Sequence, residues 1–167
     1  MRDPEPGNWR WRGERRFDAP VAVFDMDGVL SDASRRQKYL AVDPPDWESF
    51  NSRAWQDGPI LDGIDALHAA AVDHVIVVVT ARPLTSIDMT DRWLEDHEVP
   101  VDLLVLRDRD DERHSPAVKR SELAKLRAAG ADVVMAVEDH PGIVAMYEEE
   151  GVAVRYVHSG YYEIGEV

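Results

Sequence analysis

At 167 residues and a hydrophobic fraction of 44%, the chain can bury a core yet fits one domain. Its net charge of −14 excludes a protein that coats nucleic acid through a basic footprint, though not one that grips a single phosphorylated end. There is no cysteine, so disulfides and thiolate metal sites are ruled out and a reducing, cytoplasmic setting is the expectation. No apolar run approaches membrane-spanning length, and the N-terminus shows no signal-peptide core, so no membrane partner is expected.

Met1 to Pro20 hold five arginines and two tryptophans without an apolar period. Trp9-Arg10-Trp11-Arg12 reads first as an edge or tail segment that packs its tryptophans on the domain. The competing reading is a stacking and phosphate-binding arm. We set this segment, 1–19, apart from a domain spanning 20–167.

Val21-Ala22-Val23-Phe24 is apolar at every position, the pattern of a strand buried on both faces of a parallel sheet. It ends in Asp25-Met26-Asp27-Gly28. Ligands of open α/β sheets bind at the carboxyl ends of strands, so two carboxylates there mark a site. Residues on an extended segment alternate sides, so Asp27 must lie where the strand is already bending, and Gly28 permits the turn.

The stretch from about 31 to 58 reads as a small helical cap. Ser31-Asp32 offers a helix start, Asp43-Pro44-Pro45 a turn, and Asp46 the cap of a short helix through Trp47, Phe50 and Trp55. Arg35 and Arg36 are the basic residues nearest in sequence to the aspartates. Ile60–Val72 is an amphipathic helix, with His68 as a surface or packing histidine. His74–Thr80 is a second buried strand, ending in Thr80-Ala81-Arg82-Pro83. Thr85–His97 is a helix, and Val101–Leu106 a third strand followed by a charged loop.

Ser115-Pro116 opens the next helix with serine at the N-cap, and Gly130 stops it. Asp132–Val137 is a fourth strand ending in Glu138-Asp139. A short helix over about 141–150 and a strand over Val152–Val157 complete the pattern. Strands alternating with helices predict an α/β fold: a Rossmann-like parallel sheet with helices on both faces.

Asp25 and Asp27, Thr80 and Arg82, Lys119, and Glu138 and Asp139 thus fall at strand ends or at a helix start beside one. Each alone has a dull reading as a turn, a strand-end hydroxyl or a solvated charge. Together they supply what phosphoryl transfer needs: a carboxylate nucleophile, an acid/base, a hydroxyl and a cation for phosphate oxygens, and acidic ligands for Mg²⁺.

The string DMDGVL behind a buried strand, with the other three signals in this order, resembles the haloacid dehalogenase superfamily over about 21–157. The resemblance implies Asp25 as nucleophile and metal ligand. It implies Asp27 as acid/base, bound to metal through its backbone carbonyl, and Thr80 and Lys119 as holders of the phosphoryl group. Asp139, with Glu138 beside it, would complete an Mg²⁺ site.

Within that superfamily the chain is similar to the 3′-phosphatase domain of phage-type polynucleotide kinase/phosphatase. The similar stretches are Arg36 eleven residues after Asp25, Val77–Arg82, Met89–Glu95, Val99-Pro100, Arg107 and Arg113 ahead of Lys119, Glu138-Asp139 through Met146 to Gly151, and Ser159-Gly160. This likeness implies substrate-binding roles for Arg36, Arg82 and Arg113. The family has aspartate four residues before the lysine, where this chain has Ser115; Asp110 or Asp111 would stand in for it.

The expected activity is therefore an Mg²⁺-dependent phosphomonoesterase working through an aspartyl-phosphate on nucleotide or polynucleotide 3′-phosphates. The competing expectations are a nucleotidase or small-metabolite phosphatase, and a non-catalytic binding module on the same fold. No G-x-x-x-x-G-K-[ST] and no Gly-Lys dipeptide occurs, so 5′ phosphorylation is not expected of this chain. A kinase or ligase partner would be encoded separately.

Overall fold

The computed structural model describes residues 5–162; residues 1–4, with Arg2 of the N-terminal arginine set, and residues 163–167 lie outside them. In chain order the strands are β1 (Trp9–Trp11), β2 (Val21–Phe24), β3 (Ser31–Asp32), β4 (Gly58–Pro59), β5 (Val75–Pro83), β6 (Leu103–Arg107), β7 (Val133–Glu138) and β8 (Ala153–Tyr156). The helices are α1 (Trp47–Ser52), α2 (Leu61–Ala70), α3 (Ile87–Asp96), α4 (Ser115–Ala128) and α5 (Pro141–Glu149).

Six strands form one sheet in the order β1-β6-β5-β2-β7-β8. Five run parallel, and β1 joins the edge antiparallel to β6. After β2 the chain builds outward through β5 and β6, then returns to the other side of β2 for β7 and β8. The order therefore reverses at β2, and the crevice of such a sheet opens at the carboxyl end of that strand.

Alternate β2 residues serve opposite faces, as strand geometry requires. Val21 and Val23 pack with Leu123 and Leu126 of α4 and with Ile143, Met146 and Tyr147 of α5. Ala22 and Phe24 pack with Ile64 and Leu67 of α2 and with Trp93 and Leu94 of α3. Helices thus cover both faces, and β2 is buried at every residue.

The N-terminal segment is an edge strand. Trp9 is buried, and its indole N–H donates to Glu122 of α4 at 3.0 Å. Arg10 and Arg12 pair with Asp88 (2.7 Å) and Asp91 (2.6 Å) of α3. These arginines neutralise helix acids, so the reading as a phosphate-binding arm does not fit them.

Two local expectations are corrected. Ser31 and Asp32 do not start a helix; they pair with Gly58 and Pro59 as the stem of the insert. Asp32 accepts from the Ser34 amide at 2.9 Å instead, opening a 3-10 turn over Ser34–Tyr39. At α4 the N-cap is His114 rather than Ser115, with no side-chain capping bond; the Ser115 hydroxyl accepts from Arg107. Asp46 does cap α1, accepting from the Ser49 amide at 3.0 Å.

Candidate active site

The end of β2 is turned by a tight loop. The Met26 carbonyl accepts from the amides of Leu30 (2.9 Å) and Ser31 (3.0 Å), and the Gly28 amide donates to the Ser31 carbonyl (2.9 Å). Gly28 has φ +87°, and a Cβ there would stand 2.2 Å from Asp139 Oδ2. Only glycine allows both the backbone angle and this approach. The loop holds Asp25 and Asp27 over the ends of β5 and β7.

Lys119, 2% exposed, reaches from α4 to donate to Asp25 Oδ1 at 2.6 Å and Glu138 Oε2 at 2.7 Å. Burial opposes its charge, but Asp25 and then Glu138 outweigh burial and hold its pKa well above the usual lysine value. Lys119 is a fixed cation. Glu138 is saturated: its other oxygen accepts from the Asp139 and His140 amides at 3.1 and 3.2 Å.

Asp27 is clamped. Arg82 donates to it through Nη2 at 2.6 Å and Nε at 3.1 Å, Arg36 at 2.7 Å, and the Ser31 hydroxyl at 3.0 Å. Burial would raise its pKa, but Arg82 first and Arg36 next hold it well below the carboxylate range. Arg36 also makes a bidentate pair with Asp57, at 2.8 and 2.6 Å. Two buried guanidinium groups thus balance the buried Asp57 and the half-buried Asp27, the condition for keeping such charges out of water. Asp57 and Ser31 were not singled out from sequence as parts of the site. A lone acid 21 residues from its arginine, in a charge-rich insert, leaves no local signal.

Asp25, Glu138 and Asp139 bring one carboxylate oxygen each within 4.8 Å of one another. Asp139 is 1% exposed, and neither of its oxygens has a hydrogen-bond partner among the described residues. Burial first, then the Asp25 and Glu138 charges, raise its pKa. Asp25 is raised likewise by burial and Glu138, against the pull of Lys119. Orphaned buried carboxylate oxygens beside like charges are what a hard divalent cation satisfies, and the residues fit Mg²⁺. Asp25, Asp139 and the Asp27 carbonyl would hold it. Glu138 also anchors Lys119 and the loop, and its oxygen completes this three-carboxylate cluster.

A stability prediction follows from these raised values. A folded state that keeps protons the unfolded chain releases loses stability as pH rises above about 4, the ordinary carboxylate value. A bound cation removes that penalty. Mg²⁺ is therefore expected to raise the melting temperature more at pH 8 than at pH 6, read by thermal unfolding with and without chelator. Equal increments, or none, would contradict the metal site.

The carboxylates open on a cleft of about 1000 Å³. Thr80 lines it and is 2% exposed; its hydroxyl accepts from the Arg82 amide at 3.2 Å, leaving its own proton free to donate. Arg113 lines it from the loop before α4, paired with Asp111 at 2.6 Å. Arg107 braces that loop by donating to the carbonyls of Ala81 and Asp111. Asp111 is thereby engaged within its own loop, and Ser115 is bound by Arg107, so the Ser115 position is filled differently from the family pattern. Arg36 is buried behind the cleft with Asp57, and Arg35 is exposed. Of the residues expected from sequence, Asp25, Asp27, Thr80, Arg82, Arg113, Lys119 and Glu138 line this one cleft, with Asp139 beside them.

A family model described as the polynucleotide kinase PNKP phosphatase domain matches residues 19–162. The chain belongs to this family. It is a PNKP-type phosphatase domain of the haloacid dehalogenase superfamily.

Solved structures agree on fold. A chain of the Pnkp1/Rnl/Hen1 complex superposes with a TM-score of 0.71 at 21% identity, covering 94% of this chain and 51% of that one. A chain of the Pnkp1/Rnl/Hen1 RNA repair complex gives 0.71 at 22%, covering 92% and 47%. CbbY from Rhodobacter sphaeroides in complex with phosphate gives 0.60 at 14%, covering 89% and 90%. The PNKP-type domain thus spans about half the length of the Pnkp1 complex chains it matches. No curated protein sequence matches it significantly.

Proposed function

We propose that this domain is an Mg²⁺-dependent phosphomonoesterase that removes 3′-phosphates from polynucleotide or nucleotide ends through an aspartyl-phosphate on Asp25. The observation that carries the chemistry is Asp25 itself. It is a buried carboxylate with one oxygen fixed by Lys119 and the other left for phosphorus, at the floor of an open cleft. The match to the PNKP phosphatase family supports the polynucleotide end as substrate.

Thr80 and Lys119 hold the phosphoryl oxygens. An Asp25 oxygen bonds to phosphorus as the ester bond breaks, and Asp27 gives the leaving oxygen a proton. Asp27 then takes a proton from water, whose oxygen attacks phosphorus; inorganic phosphate leaves and Asp25 is restored. The resting Asp27 is ionised, so the proton that it delivers arrives with the substrate monoanion, whose second ionisation lies near about pH 6. Bound Mg²⁺ would neutralise phosphate charge and relieve the repulsion between Asp25 and Asp139. The domain would work beside a kinase or ligase, a partnership that the Pnkp1/Rnl/Hen1 likeness supports.

The arginines give a test. Arg82→Ala or Arg36→Ala is expected to lower kcat/KM on a 3′-phosphorylated oligonucleotide on the order of tenfold or more, the scale of a lost charge-assisted bond. Arg→Lys should rescue partly, because lysine cannot make the bidentate contact. The loss should be smaller on para-nitrophenyl phosphate, whose leaving group needs less protonation. Equal loss on both would place the arginines on the transferred phosphate, and no loss would remove them from the reaction.

A further inference from the structure

The cap carries two exposed tryptophans, Trp47 (57% exposed) and Trp55 (61%). Burial does not account for either. Trp47 lines the catalytic cleft and Trp55 does not.

Trp47, Phe50 and Asn51 stand at i, i+3 and i+4 of α1, hence on one face, and all three line the cleft. Gln37 of the 3-10 turn before it and Leu40, which ends that turn, line the cleft too. These side chains therefore offer an indole face, an aliphatic edge and two carboxamides. Phosphate recognition uses none of these: they carry no positive charge, and the cleft's cations Arg82, Arg107, Arg113 and Lys119 come from other elements. A π surface flanked by amides suits a nucleobase, which stacks by its face and hydrogen-bonds by its edge.

The platform is also rigid. The Trp47 ring meets Phe50 edge to face at 5.9 Å, and the Arg36 guanidinium lies 4.3 Å from the Phe50 ring centre. Arg36 Nη1 donates to the Phe50 carbonyl at 2.9 Å while Nη2 holds Asp27. A base on Trp47 would thus be referenced through two side chains to the carboxylate that protonates the leaving oxygen.

We propose that Trp47 is the stacking platform for the nucleobase at the phosphorylated 3′ end, with Asn51 and Gln37 contacting its edge. This rests on the 3′-end reading above. The site then binds a nucleoside 3′-phosphate as a unit, with the phosphate on Thr80 and Lys119 and the base on the cap.

The test compares two oligonucleotides with 3′-phosphates, one ending in an ordinary nucleotide and one in an abasic residue. Trp47→Leu should raise KM for the base-bearing end on the order of tenfold, with little change in kcat. It should leave the abasic end and para-nitrophenyl phosphate unchanged. Trp47→Phe should retain most of the affinity, and Trp55→Leu should match wild type.

A second readout leaves the platform intact. A 3′-terminal 2-aminopurine nucleotide 3′-phosphate, bound to the Asp25→Asn variant, should lose fluorescence on stacking, and Trp47→Leu should abolish that loss. Equal KM for base-bearing and abasic ends in wild type, or unquenched 2-aminopurine, overturns the platform alone. Failure of wild type to release phosphate from either oligonucleotide overturns the 3′-end reading and the platform with it.

Discussion

Asp25→Asn is expected to lower kcat on the order of ten-thousandfold or more, the scale seen when a covalent nucleophile is removed. The amide cannot form the acyl-phosphate bond. The fold should persist, because Lys119 keeps its 2.7 Å bond to Glu138 and asparagine nearly preserves the volume of a residue that is 8% exposed. The check is phosphate release by a variant whose circular dichroism and unfolding midpoint match wild type. A folded variant with more than a trace of activity would show that phosphorus is attacked by another group.

Lys119→Met is expected to damage both activity and stability. It leaves Asp25, Glu138 and Asp139 packed without their cation. Breaking a buried pair by removing one partner costs about 3–5 kcal/mol. The sign with pH follows from the raised carboxyl values. Without Lys119 the folded state holds its protons more tightly still, so its stability falls more steeply than wild type as pH rises above about 4. Urea unfolding in chelator should show a large deficit at pH 8 and a smaller one at pH 5. A deficit equal at both would mean that Lys119 contributes packing alone. Activity should not return with added Mg²⁺, since the metal cannot supply the lysine's contact with the phosphoryl oxygens.

The contrast between Asp25 and Asp57 shows what the sequence could and could not reveal. Asp25 stands at the end of four apolar residues that can only be a buried strand, so its place at a sheet end was legible. The parallel α/β pattern was legible for the same reason, because β2, β5, β6 and β7 each carry their own apolar run. Asp57 has no such frame. Its role depends on Arg36 folding back across the cap, a contact made by tertiary structure alone.

Arg36 and Arg82 show the same limit from the other side. Their nearness to the aspartates could be read, but not that both spend their donors on Asp27. Glu138 was expected beside Asp139 at a metal site, and it does lie in the carboxylate cluster with Asp25 and Asp139. That it also holds Lys119 and two backbone amides is announced by nothing in the order of residues. Ser31 resembled a helix start by composition, yet its amide and carbonyl are needed to close the loop that carries Asp27.

β1 was legible only as an edge segment. Its antiparallel pairing with β6 sets Trp9 opposite Val105, and residues so far apart in the chain leave no periodic mark.

The 3′-phosphatase mechanism makes a sharp prediction for phosphate release from one oligonucleotide prepared in two forms, with a 3′-phosphate and with a 5′-phosphate. Each would be assayed with Mg²⁺, with Ca²⁺ and with chelator. Release from the 3′-phosphate alone, with Mg²⁺ alone, is the expected result. Mg²⁺ demands tight octahedral geometry, whereas the looser bidentate coordination accepted by Ca²⁺ would tie up the Asp25 oxygen needed for attack. Full release in chelator, or equal release from the 5′-phosphate, would contradict it.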